Sequence, residues 1–236
     1  MIDIKNKKAV FFDFGDTLAS TVPTYPDRIR IALNALGYEF TEKQYFSAFQ
    51  FADYQIYKNY INDKKVSSKI YQKTLFSVLT EELGINTDSE ELRNKVNQKM
   101  SGAELKRELL PGAGELLNYL SSCGYKLSVI SNNDGRTAEK CEDVGIAEYM
   151  ELIIDSTKVN IIKPDSRIFL LASEMLQIDP KDILHIGDLY GADVLGAMNA
   201  GIDVIWINHK SGKNYEGLDL VEVNNLPELL NIFKKR

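Results

Sequence analysis

Cysteine is scarce: the 236 residues contain only Cys123 and Cys141. Two thiols in a chain of this length cannot form the framework of a small secreted scaffold, and a reducing compartment suits them better. Long apolar runs are missing too, since no stretch approaches the ~20 apolar residues needed to span a bilayer. The first apolar run, Ala9 to Phe14, contains Asp13 and lacks a small-residue cleavage site, so it reads poorly as a secretory signal. These absences predict a cytoplasmic protein with no membrane partner. Positive charge is also short. With 28 Lys and Arg against 34 Asp and Glu, the net charge is -6, which argues against nucleic acid as a partner because phosphate backbones need basic patches. A small anionic ligand stays open, since a local site can be positive on an acidic protein. Oligomeric state is not readable from the sequence.

What is present is an ordinary globular composition, 44% hydrophobic and 26% charged, enough for one substantial core plus a smaller accessory unit. Ala9 to Phe14 reads as a buried strand broken at once by Gly15-Asp16-Thr17. From about Pro23 to Glu108 the chain reads as helix after helix, without strand-like alternation. Pro26 suits a first turn, Ile29, Ala32, Leu33 and Leu36 repeat at helical spacing, and Gly37 is a stop. Thr41 and Gln44 form a capping box for a helix carrying Tyr45, Phe49, Ala52 and Ile56. Two more helices are expected at Ser68 to Leu83 and Ser89 to Lys106. The grammar changes at Pro111. Helices at Ala113 to Ser122, Thr137 to Val144, Ser166 to Leu176 and Asp193 to Ala200 alternate with strands at Lys126 to Ser131, Leu152 to Ile154, Ile183 to Gly187 and Val204 to Asn208, and a last helix spans Leu226 to Lys234. Such alternation implies a parallel sheet covered on both faces. The fold class is therefore α/β, a Rossmann-like three-layer core built from residues 1–20 and 109–236. An all-helical cap, residues 21–108, is inserted after the first strand.

Open α/β sheets place their sites at the carboxyl ends of the strands. Four predicted strand ends supply a coherent set: Asp13 with Thr17, then Ser131-Asn132, then Lys163, then Asp188 with Asp193. Taken singly, each has a plain structural reading as an N-cap, a polar turn or a solvated loop. Together they match what phosphoryl transfer to an enzyme group demands: an anionic oxygen nucleophile, a cation, and fixed donors for the equatorial oxygens. Asp13 can attack. Asp13 and Asp188 can hold a hard cation through oxygen ligands, the mode Mg2+ prefers. Thr17 and Ser131, with Asn132 beside it, can donate to phosphate, and Lys163 adds a positive point charge.

In order and spacing these motifs resemble those of the haloacid dehalogenase-like hydrolase superfamily, over nearly the whole chain. The resemblance rests on Asp13-Phe14-Gly15-Asp16-Thr17-Leu18, Val129-Ile130-Ser131-Asn132, Lys163-Pro164-Asp165, and Gly187-Asp188 through Gly196-Ala197, with Pro111-Gly112 ahead of the second core helix. It implies a Rossmann-like core with a helical cap, Asp13 as nucleophile, and Ser131 and Lys163 on phosphate. It also implies Mg2+ on Asp13, Asp188 and the backbone carbonyl of Gly15, with Asp193 supporting the metal directly or through water. The expected activity is Mg2+-dependent hydrolysis of a small phosphorylated metabolite, a nucleotide monophosphate or sugar phosphate, through a phosphorylated Asp13.

One position departs from that pattern. The family's phosphatases carry a second Asp two residues after the nucleophile as general acid/base, and here that position is Gly15, with Asp16 one residue later. Asp16 is the candidate surrogate. The rival readings are a metal-free 2-haloacid dehalogenase, a phosphonate-cleaving enzyme using a cap lysine (Lys58, Lys64, Lys65, Lys69 or Lys73), and a phosphometabolite-binding protein without turnover. The cap aromatics, Tyr25, Tyr38, Tyr45, Phe46, Phe49, Phe51, Tyr54, Tyr57 and Tyr60, are expected to be mostly interhelix packing, with a substrate pocket or dimer surface as the alternative. Cap hinges are expected near Ser20 to Thr24 and Leu109 to Gly112.

Overall fold

A computed structural model of the chain describes residues 3–60, 66–102, 105–210 and 212–235. Its first strand, β1 (Ala9–Phe12), is fully buried and alternates sides as a pleated strand must: Val10 and Phe12 join one hydrophobic cluster, Ala9 and Phe11 the other. A short antiparallel pair follows, β2 (Ala19–Val22) with β3 (Lys106–Leu109). Between these two lie four helices: α1 (Tyr25–Ala35), α2 (Glu42–Tyr60), α3 (Ser68–Glu82) and α4 (Ser89–Met100). The rest of the chain supplies α5 (Ala113–Ser122), β4 (Lys126–Ser131), α6 (Thr137–Asp143), β5 (Met150–Asp155), the single turn α7 (Ser156–Val159), α8 (Arg167–Leu176), β6 (Ile183–Gly187), a π-helical segment Tyr190–Leu195, the turn α9 (Gly196–Met198), β7 (Asp203–Ile207), β8 (Val221–Val223) and α10 (Leu226–Lys234).

The six-stranded sheet has the order β5-β4-β1-β6-β7-β8, and every pair in it is parallel. Helices α5, α6 and α10 cover one face through Leu116, Leu117, Leu120, Cys141, Leu229 and Phe233. Helix α8 and the segment after β6 cover the other through Ile168, Phe169, Tyr190 and Val194. This is the three-layer α/β arrangement expected from the alternating sequence pattern. Strand β1 is central, with β4 and β6 on either side, so the residue leaving β1 sits between two other strand ends.

The four inserted helices share a separate cluster that includes Leu33, Tyr45, Phe49, Ile56, Leu79 and Val96. The capping box is formed: Gln44 N donates to Thr41 Oγ1 (3.2 Å), and Thr41 N donates to Gln44 Oε1 (3.0 Å). Gly37 has φ +92° just after α1, the left-handed conformation that glycine tolerates at a helix end. Tyr45 and Phe49 are bundle core. Tyr54 instead stacks on Tyr215 of the α/β unit, with centroids 4.5 Å apart and an interplanar angle of 8°. Tyr38, Tyr45, Phe46, Phe49 and Tyr60 therefore pack between helices, whereas Phe51, Tyr54 and Tyr57 form a seam between insertion and core.

Three elements differ from the sequence reading. The helix expected to reach Lys106 stops at Met100, and Lys106–Leu109 pairs with Ala19–Val22 as strands at the base of the insertion. With only four residues each, neither strand could show a persuasive alternation. Strand β8 is three residues long at the sheet edge, below what pattern reading resolves. The helix expected from Asp193 begins earlier, at Tyr190, and its first turns are π-helical, a form that is rare and concentrated at functional sites.

Candidate active site

Asp13 lies one residue beyond β1 and donates its backbone N–H to Ile186 O on β6 (2.9 Å). Asp188 lies one residue beyond β6. Parallel neighbouring strands thus deliver two carboxylates to the same sheet end, and the π-helical segment folds Asp193 back beside them. Oxygens of Asp13, Asp188 and Asp193 all lie within 4.8 Å of one another, and all three residues are buried.

The buried Lys163 lies between them, its ammonium donating to Asp13 Oδ1 and to Asp193 Oδ1, each at 2.6 Å. Its backbone is held by Asn132, whose Nδ2 donates to Lys163 O and whose Oδ1 accepts from Lys163 N, both at 2.9 Å. The side chain of Asn132, expected to face phosphate, is thus spent on locking the lysine in place. Ser131 is the last residue of β4 and is buried. Thr17 is fully buried, and its hydroxyl donates to Asp188 Oδ1 at 3.4 Å. Trp206 on β7 donates Nε1–H to the backbone carbonyl of Asp188 at 2.8 Å.

The electrostatics show what the site lacks. Burial pushes Asp193 up, but the charge of Lys163 and a hydrogen bond from His185 hold its carboxyl down at about 2. Burial pulls Lys163 down, and the two carboxylates outweigh this and raise it. Asp188 makes no ion pair among the described residues, and the charge of Lys210 only partly offsets its surroundings. Burial, then Asp16, Asp13 and Asp193, push it well above the usual carboxylate range, and Asp13 is pushed to about 7 by burial despite Lys163. One lysine does not offset three buried carboxylates. Hard oxygen donors with surplus negative charge fit a divalent cation of the Mg2+ type.

Gly15 and Asp16 are placed the wrong way round for their backbone. Asp16 has φ +55°, the left-handed region that favours glycine. Gly15 is outside that region, and a Cβ built on it meets nothing within 4 Å. Packing does not forbid an acid at position 15. The Asp16 carboxylate accepts from Ser20 Oγ and from Lys210 Nζ (3.4 Å), and Lys210 also sits 4.6 Å from the Phe46 ring centroid on α2.

Three residues near the site went unnoticed in the sequence. Lys210 follows the end of β7, so the strand-end rule applied to a fifth strand finds it. Asp53 sits in the apolar stripe of α2, four residues after Phe49 and three before Ile56, and a charge on that stripe was the signal. His185, its Nε2 3.1 Å from Asp193 Oδ1 and its ring edge-on to Phe169, is interior to a strand, where nothing in the pattern marks it.

A parallel sheet interrupted after its first strand by a helical insertion, with this acid–lysine cluster at the strand ends, defines a class of hydrolase. The chain belongs to the haloacid dehalogenase-like hydrolases, whose sequence pattern it matches over residues 10–207. It is 28% identical over 217 residues to pyrimidine 5'-nucleotidase YjjG of Escherichia coli strain K12, covering 89% of each chain. It is also 28% identical over 239 residues to the glyceraldehyde 3-phosphate phosphatase of Methanothermobacter thermautotrophicus, covering 95% of this chain and 99% of the relative. Its fold matches that of a HAD hydrolase from Bacillus subtilis, YfnB, solved bound to magnesium, with a TM-score of 0.65, 23% identity, and coverage of 97% and 99%. Among the described residues no helix is long and apolar enough to cross a membrane.

Proposed function

We propose that the protein is a Mg2+-dependent phosphomonoester hydrolase that works through a phosphorylated Asp13, with residues 21–108 acting as a cap over a core of residues 1–20 and 109–236. The observation that carries this is the buried cluster of Asp13, Asp188 and Asp193 around a single lysine. Asp13, Asp188 and the Gly15 carbonyl would hold the ion, with Asp193 in support, and the ion would offset charge on nucleophile and phosphate. Asp13 Oδ attacks phosphorus. Lys163, already fixed against Asp13, screens the carboxylates from the incoming anion, and Ser131 and Thr17 donate to its oxygens.

Asp16 is the acid that protonates the leaving oxygen and then activates water. Support for this role comes from its place three residues after Asp13, with Ser20 and Lys210 fixing the orientation of its carboxylate. General acid–base help is worth ~10²–10⁴-fold, so Asp16→Asn is expected to cut kcat by about 10²-fold on an alkyl phosphate and far less on a para-nitrophenyl ester, whose leaving group needs no proton. Equal rates for variant and parent on the alkyl ester would remove Asp16 from the reaction. The double variant Gly15→Asp/Asp16→Gly puts each residue where its backbone suits it and is expected to retain or raise turnover.

The test of the whole reading is phosphate release from a panel of phosphorylated metabolites with and without Mg2+. Pyrimidine nucleoside monophosphates and glyceraldehyde 3-phosphate head the panel, following the relatives' activities. Magnesium alone is expected to raise the unfolding temperature, because an ion that binds only the folded state at about 100 times its Kd adds ~2.7 kcal/mol. Asp188→Asn should lose that rise. A metal-free dehalogenase would show neither effect, and the surplus charge at Asp188 disfavours it. Phosphonate cleavage of the rival kind needs a cap lysine in the site, whereas Lys58 pairs with Glu216 (3.5 Å), Lys73 pairs with Glu90 (3.2 Å) and Lys69 is exposed. Lys64 and Lys65 lie outside the described residues. Mg2+ and phosphate binding without release from any ester would favour the non-catalytic reading.

A further inference from the structure

Asp53 stands near the middle of cap helix α2, 1% exposed, on a stripe otherwise built of Phe49, Ala52 and Ile56. A carboxylate is costly there: burial pushes it up to about 7, against hydrogen bonds that pull it back. Its partners are all donors. Oδ2 accepts from Gly191 N at 2.5 Å, and Oδ1 accepts from Ala192 N at 3.1 Å and from Tyr71 Oη on α3 at 3.3 Å. Gly191 and Ala192 lie in the first turn of the π-helical segment, where backbone N–H groups have no partner within the helix.

Those two amides sit midway along the loop that joins Asp188 to Asp193. The loop is already tied from within, because Asp193 Oδ2 accepts from Leu189 N at 3.1 Å. Asp53 ties it from outside. The approach is backbone to backbone: a Cβ on Gly191 would lie 2.4 Å from Asp53 O and 2.9 Å from Asp53 Oδ2. Gln50, one turn earlier on α2, meets Gly212 as closely, with its Oε1 1.8 Å from where a Cβ on Gly212 would sit. The cap helix is therefore seated directly on the loop whose two ends carry two of the three clustered carboxylates.

We propose that Asp53 is a positioning residue through which seating of the cap fixes the spacing of Asp188 and Asp193, so that the divalent ion binds more tightly with the cap docked. This rests on the reading that those carboxylates hold Mg2+. Outer partners of metal ligands typically contribute 10–100-fold in affinity. Because such coupling is reciprocal, an ion that binds better to the docked form must also favour docking by the same factor.

The test measures magnesium binding without substrate, by calorimetry with MgCl2 alone. Asp53→Ala is expected to weaken Mg2+ about tenfold. Asp53→Asn, which keeps an acceptor oxygen for Gly191 and Ala192, is expected to recover most of that loss. A purely structural role would lower stability in both variants with affinity unchanged. Asp53→Ala binding Mg2+ within twofold of the parent overturns the proposal. Should the variant not fold, amide exchange in the parent decides the matter: Gly191 and Ala192 N–H are expected to exchange about tenfold more slowly with saturating Mg2+, by the same reciprocity. Exchange rates unmoved by Mg2+ overturn the proposal. A parent that binds no Mg2+ overturns the proposed function and this inference together, whereas normal parent binding with no effect of Asp53 overturns the inference alone.

Discussion

Asp13→Asn is expected to abolish turnover, lowering kcat by roughly four orders of magnitude or more, the scale seen when a catalytic nucleophile is removed. The amide is nearly isosteric with the carboxylate, and Asp13 N would still donate to Ile186 O, so the fold should persist. The amide oxygen is a poor nucleophile and carries no charge, so no phosphoryl-enzyme can accumulate. The checks are phosphate release from an aryl phosphate under Mg2+ and mass spectrometry of the protein after rapid acid quench. The parent should show the mass of one added phosphoryl group and the variant should not. Undiminished release by the variant would end the covalent mechanism.

The second large effect concerns stability. Lys163→Met removes the single ammonium that bridges Asp13 and Asp193 at 2.6 Å on each side. Breaking a buried ion pair by deleting one partner costs ~3–5 kcal/mol, because the remaining charge stays buried and unpaired. Here two carboxylates lose their partner at once. At ~2–4 °C per kcal/mol for a chain of this size, the unfolding temperature should fall by roughly 6–20 °C. The drop should shrink as pH is lowered, since protonating the orphaned carboxyls relieves the penalty. In the variant these groups have folded-state pKa values raised above their unfolded ones, so stability is lost as pH rises past the unfolded value. Differential scanning calorimetry across pH 5 to 8 gives the comparison. A variant that melts with the parent would mean that Lys163 does not compensate the cluster as its position suggests.

The two effects separate chemistry from scaffold. Asp13 is expected to accept an isostere without loss of the fold, whereas Lys163 bridges Asp13 and Asp193 and balances their charge. Asn132 belongs with the scaffold. Its amide clasps both backbone groups of Lys163, so a residue that motif reading set on the substrate is seen to hold the lysine between Asp13 and Asp193.

Much of the fold was legible because its cause is local. Alternating short apolar runs and amphipathic stretches imply a parallel sheet with helices on both faces, and the all-helical stretch from about Pro23 to Glu108 after the strand read at Ala9 to Phe14 implied an insertion. Among the elements that escaped were β2, β3 and β8, of three or four residues each, and the π-helical turn. All four exist through pairing or packing with distant segments, and their own sequences carry too few positions to show a period.

The sequence by itself determined the chemistry available at the strand ends: which residues bear carboxylates, where the ammonium stands, and that position 15 has no side chain. Tertiary structure alone decided how those groups are used. It showed that Gly15 has room for a side chain while Asp16 occupies a glycine-like conformation, that Lys210 reaches Asp16, and that Asp53 grips the loop between Asp188 and Asp193. These pairings join residues far apart in the chain, as with Asp53 and Gly191. Such contacts follow from how a helix lies on a sheet, and no local spacing encodes that.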